Sequence, residues 1–590
     1  MSEDSGSGLS RRQMIAAGTG LIAATAAGPP RAAARGRQGA ADGTPEQIHL
    51  TWGDDPTRTV VVSWASPGQA ERPRVRIGQR VIAAAERACT GAPSGAVTWT
   101  YHARVDGLRP GATYGYAVTA DNDANAADPF SATFTTAPAG RAAFRFTSFG
   151  DLAAPQAAYA VGAVETFQPL FHLLNGDLAD ADLTPGAPGQ APRAQAWRDF
   201  GNNVQASAAN RPWLPVPGDH ELPNTDDEHG IASYLTRYTL PSNAVEGLEG
   251  RWYAFRVGTA LFVCLSGDDV AYSATGTPAA GAPAGPAPLP PELPAGNTLV
   301  AEGHPPVTAG TSAGRGYSGG AQTRWLESTL ATARADASID WIVVQLHQCA
   351  CSSAPAGNGS DLGVRREWLP LFDTYEVDLV LSGHDRGYER SFPVRGFDAA
   401  AGTDTLTGAV TDTRRPRPVT TVDSGVFDTS QGTVHLVLGS GGSARGPAGS
   451  GATQGEPGPL PRVAKVLTRP AQPGPDQRAP GDEPRAAADA VEAATWSARR
   501  DASTGYGIAV FDVSPGSEAG GQTSVTVRYY HAGGPDAGGP DAGDAGLAGA
   551  GAPGAPGDDY TLFETFTLVR PRSDGRRWHP KGWLVRGWMS

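Results

Sequence analysis

The chain has 590 residues and a formal net charge of −13, a balance that excludes the basic face needed to grip a nucleic-acid backbone. Its 77 glycines and 50 prolines point to long loops around ordinary cores, spread over several domains. The four cysteines, Cys89, Cys264, Cys349 and Cys351, form no Cys-x-x-Cys pair, and no stretch beyond the N-terminus nears the roughly 18 apolar residues of a membrane span.

Residues 1–42 open with Ser10-Arg11-Arg12-Gln13-Met14-Ile15, then a weakly apolar Ala/Gly-rich stretch to Ala27 and a small-residue run, Ala32-Ala33-Ala34. That is the pattern of a twin-arginine export signal with its cleavage site, and it predicts a secreted or cell-surface protein exported already folded. Residues 43–138 alternate apolar and polar positions through Leu50, Val60-Val61-Val62, Trp64, Val75, Tyr101, Val105, Tyr114, Tyr116 and Val118, with Gly and Pro between. This predicts an all-β sandwich.

Residues 141–572 carry five short, mostly apolar runs, each followed closely by a metal-capable side chain. Phe144 to Phe149 leads to Gly150-Asp151; Leu170 to Leu174 leads to Asn175-Gly176-Asp177; Pro212 to Pro217 leads to Gly218-Asp219-His220-Glu221; Trp341 to Leu346 leads to His347; Val377 to Leu381 leads to Ser382-Gly383-His384. Such runs suit strands covered on both faces, and in open α/β sheets chemistry collects beyond the strands' carboxyl ends. Asp151, Asp177, Asp219, His347 and His384 are therefore expected to converge on one edge of a central sheet. Carboxylates with imidazoles suit Fe, Mn or Zn, one or two ions, and Asp177 is the candidate bridge of a two-metal centre.

Trp325, Leu326, Leu330 and Ala333 recur near helical spacing and predict a helix over Ala321 to Arg334. The Pro/Gly-rich stretches 273–320, 443–488 and 533–557 read as flexible loops, and residues 573–590 as a frayed tail. His172 and His435, each inside an apolar run, read as core histidines, and Cys264 as a small buried hydrophobe. Tyr388-Glu389-Arg390 reads as a turn bracing His384.

The ordered set Gly-Asp, Gly-Asp-Leu-x-x-Ala, Gly-x-His-Glu, His, Gly-His-x-x-x-Tyr-Glu-Arg resembles the purple acid phosphatase branch of the metallophosphoesterases, and so do Trp252 to Phe255, Gly320-Ala321-Gln322 and Gly107 to Gly111. The resemblance implies a fibronectin III-like N-terminal sandwich followed by an α/β, four-layer metallophosphoesterase domain with a central mixed β-sandwich. It also implies a metal-dependent acid phosphatase acting on small phosphate monoesters, with a metal-bound water as nucleophile. The family's first metal takes Asp151, Asp177, a Tyr and a second His; its second takes Asp177, an Asn, His347 and His384.

Three positions depart from that pattern: Asp180 stands at the Tyr, Asp219 at the Asn and Arg386 at the second His. Guanidinium stays protonated and offers no lone pair, so Arg386 is no ligand. The phenolate that colours the family is also lost, so no purple protein is expected. Two arrangements are open. Either Asp180 replaces the phenolate, Asp219 stays a ligand and Arg386 clamps substrate phosphate alongside His220, or Arg386 pairs with Asp180 or Asp219 and leaves a mononuclear or metal-poor site. A catalytically weak phosphate- or metal-binding relative and a phosphodiesterase are the alternative readings. The loop Gln348 to Ser353 lacks the histidine proton donor that the family carries after its ligand His.

Overall fold

The computed structural model describes residues 42–90, 97–152, 157–179, 193–222, 229–273, 316–354, 358–442, 463–469, 488–501, 506–532 and 560–575. The export signal, Asp180, the stretch 533–557, most of 273–320 and most of the C-terminal tail lie outside the described residues.

The alternating N-terminal segment folds into two antiparallel four-stranded sheets. One holds, in spatial order, Glu46–Thr51, Val60–Ser66, Val97–Val105 and Ala85–Thr90; the other holds Arg80–Ala83, Arg74–Ile77, Thr113–Thr119 and Phe130–Thr135. Val60, Val62, Trp64 and Tyr101 of the first meet Val75, Tyr116, Val118 and Phe134 of the second in a shared core, as period-2 patterning requires. This sandwich is fastened to its neighbour by specific bonds. The Ile48 amide donates to Gln205 Oε1 at 2.8 Å, the Tyr116 hydroxyl to the Ala209 carbonyl at 2.8 Å, and His102 Nε2 lies 2.9 Å from the Thr236 carbonyl.

The second domain has two facing sheets. The first runs Trp213–Val216, Phe171–Asn175, Phe144–Phe149, Gly507–Ser514, Gln522–Ala532, Tyr560–Pro571 and Val426–Asp428. The second runs Tyr253–Val257, Ala260–Cys264, Trp341–Gln345, Leu379–Ser391 and Val434–Gly439, with Ser497–Asp501 paired to the Leu379–Ser391 strand. Both sheets mix parallel and antiparallel pairs. Between them lies an aromatic core in which Phe146 stacks on Phe511 at 4.4 Å and meets Phe262 edge-on at 5.1 Å. Helices Ala157–Phe167, Arg193–Ala208 and His229–Arg237 cover the outer face of the first sheet, and Ala321–Ala335, Leu362–Glu367 and Leu369–Thr374 that of the second. The order is helix, sheet, sheet, helix, the four-layer domain expected.

The structure corrects the sequence reading in three places. The five metal-capable runs do not share one sheet: those ending at Asp151, Asp177 and Asp219 belong to the first, and those ending at His347 and His384 to the second. Tyr388-Glu389-Arg390 is not a turn but the continuation of the strand Leu379–Ser391. Within 443–488, Val463–Arg469 is a strand paired with Ala488–Ala493. Its alternation of Ala464 and Val466, both buried, with Lys465 and Leu467 is overshadowed in the sequence by the surrounding Pro and Gly.

Candidate metal centre

Where three of the donors follow their apolar runs the chain turns abruptly, and it does so with strain. Asp151, Asp177 and His384 have φ of 61°, 50° and 67°, the left-handed region that non-glycine residues seldom occupy and that clusters at functional sites. Backbone bonds lock these turns across the two sheets. The Asp151 and Leu152 amides donate to the Gly176 and Asp177 carbonyls at 3.0 and 2.9 Å, the Gly150 amide to the Leu438 carbonyl at 2.7 Å, and the Gly383 amide to the His347 carbonyl at 3.0 Å.

The result is a cup of four side chains. Asp177, Asp219, His347 and His384 each offer a ligand atom, all within 4.8 Å of one another. Asp219 Oδ1 lies 2.9 Å from His347 Nε2 and 3.0 Å from His384 Nδ1; Asp177 Oδ1 lies 3.1 Å from His347 Nε2. His347 donates from Nδ1 to the Asn175 carbonyl at 2.8 Å, which leaves the Nε2 lone pair of the neutral ring facing the cup. That nitrogen is only 3.2 Å from His384 Nδ1. Two imidazole nitrogens at this distance, sharing carboxylate oxygens, require a positive charge among them, either a proton or a metal cation.

The titration behaviour reflects this demand. Burial alone would depress both imidazoles. Asp177 and Asp219 outweigh it at His347, holding it well above its usual value, and Asp219 lifts His384 to about 9. Burial opposes the Asp219 charge, yet His384 and His347 keep that carboxyl well below the usual range. The donor set of two carboxylates and two imidazoles fits Fe, Mn or Zn, and the fixed His347 tautomer is the arrangement a metal ligand needs.

The other sequence candidates stand around this cup. Asp151 is buried and accepts the His384 amide at 2.9 Å through Oδ2 but is not one of the four clustered donors. Burial, reinforced by Asp177, pushes it up to about 7 against the pull of His347, His384 and Arg386. Arg386 is exposed and close enough to act on Asp151 electrostatically. His220 is half-buried with Nε2 3.7 Å from Asp177 Oδ2, and its amide donates to Asp177 Oδ1 at 3.3 Å. Asp180 lies outside the described residues.

Sequence reasoning passed over Asn175 and Asp385, left Glu221 open between a structural and a supporting role, and placed Glu389 only within a bracing turn. Asn175 orients His347 through its carbonyl, which no side-chain pattern reveals. Glu221 takes the Leu178 and Gly218 amides at 2.9 and 2.8 Å, tying the Asp177 turn to the Asp219 turn. Asp385 takes the Asn358 and Gly359 amides at 2.7 and 2.9 Å, and Glu389 takes the Ser353 amide at 2.8 Å. Both pin the loop after His347 against the His384 strand. His172, by contrast, is a core histidine as expected, bonded to Thr147 and packed on Phe149 and Trp213.

Comparison with known proteins agrees with this architecture. Residues 45–137 match the family model of the purple acid phosphatase N-terminal domain. An uncharacterized protein of Mycobacterium tuberculosis is 34% identical across 96% of this chain and 97% of its own length. A phosphoenolpyruvate phosphatase of Allium cepa is 25% identical over 60% of this chain and 64% of itself, and a purple acid phosphatase of Glycine max 23% identical over 65% and 73%. The solved purple acid phosphatase from Lupinus luteus seeds shares the fold with a TM-score of 0.53 at 16% identity, covering 90% of this chain and 75% of that one. The chain belongs to the purple acid phosphatase-like metallophosphoesterases.

Proposed function

We propose that the protein is an exported, metal-dependent phosphomonoesterase. The reading assigns an export signal to residues 1–42, a fibronectin III-like domain to 43–138, the catalytic domain to 141–572 and a tail to 573–590. What carries it is the convergence of Asp177, Asp219, His347 and His384 within 4.8 Å, with the His347 lone pair aimed inward by Asn175. In this reading those four residues hold the metal, and Asp151 and Asp180 are candidates for a further ion. When bound, a metal supplies Lewis acidity that neutralises phosphate oxygens and lowers the pKa of a coordinated water from about 15.7 toward about 7.

The chain's own groups do the rest. Arg386, exposed beside Asp151, presents a planar fork suited to two phosphate oxygens. His220 donates to a third oxygen from beside Asp177. Glu221 and Asn175 keep the donors in place, and the net charge of −13 leaves attraction of an anionic ester to these local groups.

The test is hydrolysis of an aryl phosphate by protein reconstituted with Mn, Zn or Fe, alongside bound-metal analysis, a bis-aryl phosphate and the Asp177→Ala variant. Turnover of the monoester that Asp177→Ala abolishes supports the reading; preferential cleavage of the diester replaces it with a phosphodiesterase. A second reading, a binding module with little turnover, is favoured by the position of Asp151 outside the four-donor group. It predicts one tightly held metal and no hydrolysis.

A further inference from the structure

A sixth apolar strand ends at the same place. Ala260–Cys264 lies parallel to the His347 strand in the second sheet, and its continuation Leu265-Ser266 runs into a short helical turn, Gly267–Asp269. The two acids of this turn behave differently. Asp269 is saturated: it takes the Ser318 amide at 2.9 Å, the Ser318 hydroxyl at 2.6 Å and Gln322 Nε2 at 3.1 Å. This carboxylate is a structural fastener.

Asp268 is 7% exposed, and among the described residues its carboxylate has one bond, from Gln348 Nε2 to Oδ1 at 3.0 Å. Its Oδ2 is buried with no hydrogen-bond partner among the described residues, and so is Gln348 Oε1. A buried carboxylate oxygen left without a partner gives up its hydration for nothing in return and calls for a functional explanation. Gln348 follows His347 directly, and a Cβ at Gly267 would come within 1.9 Å of Gln348 Oε1, so the turn closes down on the glutamine. Asp268 makes no hydrogen bond to the four donors, yet Asp219, His347, His384 and Asp177 are the charges that act on it. It stands beside the cup without belonging to it.

We propose that Asp268, held by Gln348, is the proton donor to the departing alkoxide, supplying the role for which the loop Gln348 to Ser353 has no histidine. The proposal rests on the phosphomonoesterase reading. The oxygen of water forms the new bond to phosphorus, releasing one of its protons to solvent, and the bond from phosphorus to the ester oxygen breaks. Its electron pair stays on that oxygen, which takes the Asp268 proton; the alcohol leaves, and the carboxylate is reprotonated from solvent. Burial, with Asp219 and Asp177 nearby, raises the Asp268 carboxyl to about 8, the direction that favours the protonated form a donor needs. The thiols of the loop are no substitute: Cys349 donates to the Gly383 carbonyl at 3.1 Å, and burial raises both Cys349 and Cys351.

The experiment uses the metal-loaded full chain with two substrate types, 4-nitrophenyl phosphate, whose anion leaves unprotonated, and an alkyl phosphate, whose alkoxide does not. Asp268→Asn should lower kcat on the alkyl phosphate by about 10²–10⁴-fold and on the nitrophenyl ester by markedly less, with metal content unchanged. Equal losses on both overturn the proposal, as does an unchanged rate on the alkyl ester. Two further measurements test it independently. Across a series of esters the rate should depend only weakly on leaving-group basicity, and infrared spectra should show a protonated carboxyl that Asp268→Asn removes. A steep dependence, or no such carboxyl, overturns it. Absence of any turnover on 4-nitrophenyl phosphate would instead sink the parent reading.

Discussion

Gly218→Ala puts one methyl group against the centre of the site. An ideal Cβ at Gly218 would lie 2.2 Å from Asp177 Oδ1, 2.5 Å from the Asp177 amide nitrogen and 3.0 Å from His347 Cδ2. Ordinary contact begins near 3.4 Å, so the carboxylate must retreat by 1.2 Å. The main chain of Asp177 has nowhere to go: it sits at φ 50° and its carbonyl is bound by the Leu152 amide. Metal ligation tolerates about ±0.2 Å, so a retreat of this size removes Asp177 Oδ1 from any shared cation.

The expected cost is at least the 10–100-fold in metal affinity typical of disturbed ligand support, roughly 1.4–2.7 kcal/mol, with a folding cost of about 1–3 kcal/mol for overpacking. Calorimetric metal titration and thermal melts with and without metal measure both. Gly115→Ala is the matched control, since a Cβ there meets nothing within 4 Å. A Gly218→Ala protein that binds metal as tightly as Gly115→Ala would refute the placement of Asp177 in the cup.

The hub carboxylate Asp378, buried and bonded to Arg334, Arg570, Thr429 and the Ile342 amide, should destabilise the fold by about 3–5 kcal/mol when changed to Ala, because two guanidinium groups lose their counter-charge; chemical denaturation reads this directly. Arg386→Ala should raise KM about 10–150-fold while metal stays bound, the worth of a charge-assisted bond to phosphate; a second equivalent of metal gained instead would mean that Arg386 had been filling the first metal position. Burial depresses His102 and His435 to about 3 from an ordinary 6.5, so both fold neutral. Their stabilisation is complete above about pH 6.5 and falls as pH drops toward 3, by ~2 kcal/mol each at pH 5. Among the described residues neither ring nitrogen of His435 has a hydrogen-bond partner, and His435→Leu should flatten this acid limb in melts from pH 7 to 5; an unchanged limb argues against a neutral, buried His435.

Much of the site was legible because buried strands read as unbroken apolar runs and because their exits need small residues. Phe144–Phe149 is recovered to the residue and Ala321–Ala335 to within one. The facing of two sheets was not legible: apolar runs covered on both faces look alike whether their neighbours lie in one sheet or two, and partner choice is decided by strands more than 350 residues apart, such as Phe144–Phe149 beside Gly507–Ser514. Glu389 was misread because Tyr-Glu-Arg lacks the apolar density of a strand. Its polar side chains are instead bonded internally, Glu389 to Ser353 and Ser497 and Arg390 to Glu564 and Asp423.

Asp268 shows where the same rule was applied too narrowly. Leu261 to Leu265 followed by Ser266-Gly267-Asp268 repeats the grammar of the other five runs, yet the run draws attention only through Cys264. Period and composition mark where a strand ends but not which neighbour it ends beside, and parallel pairing with the Trp341–Gln345 strand is what carries Gly267-Asp268 to Gln348. The distinction between Asp268 and Asp269 lies further down still, in whether Ser318 and Gln322 reach one carboxylate or the other. Adjacent acids in a Gly-Asp-Asp turn are equivalent in sequence. Only the hydrogen bonds made by distant segments leave one of them with an oxygen to spare beside the four-donor cup.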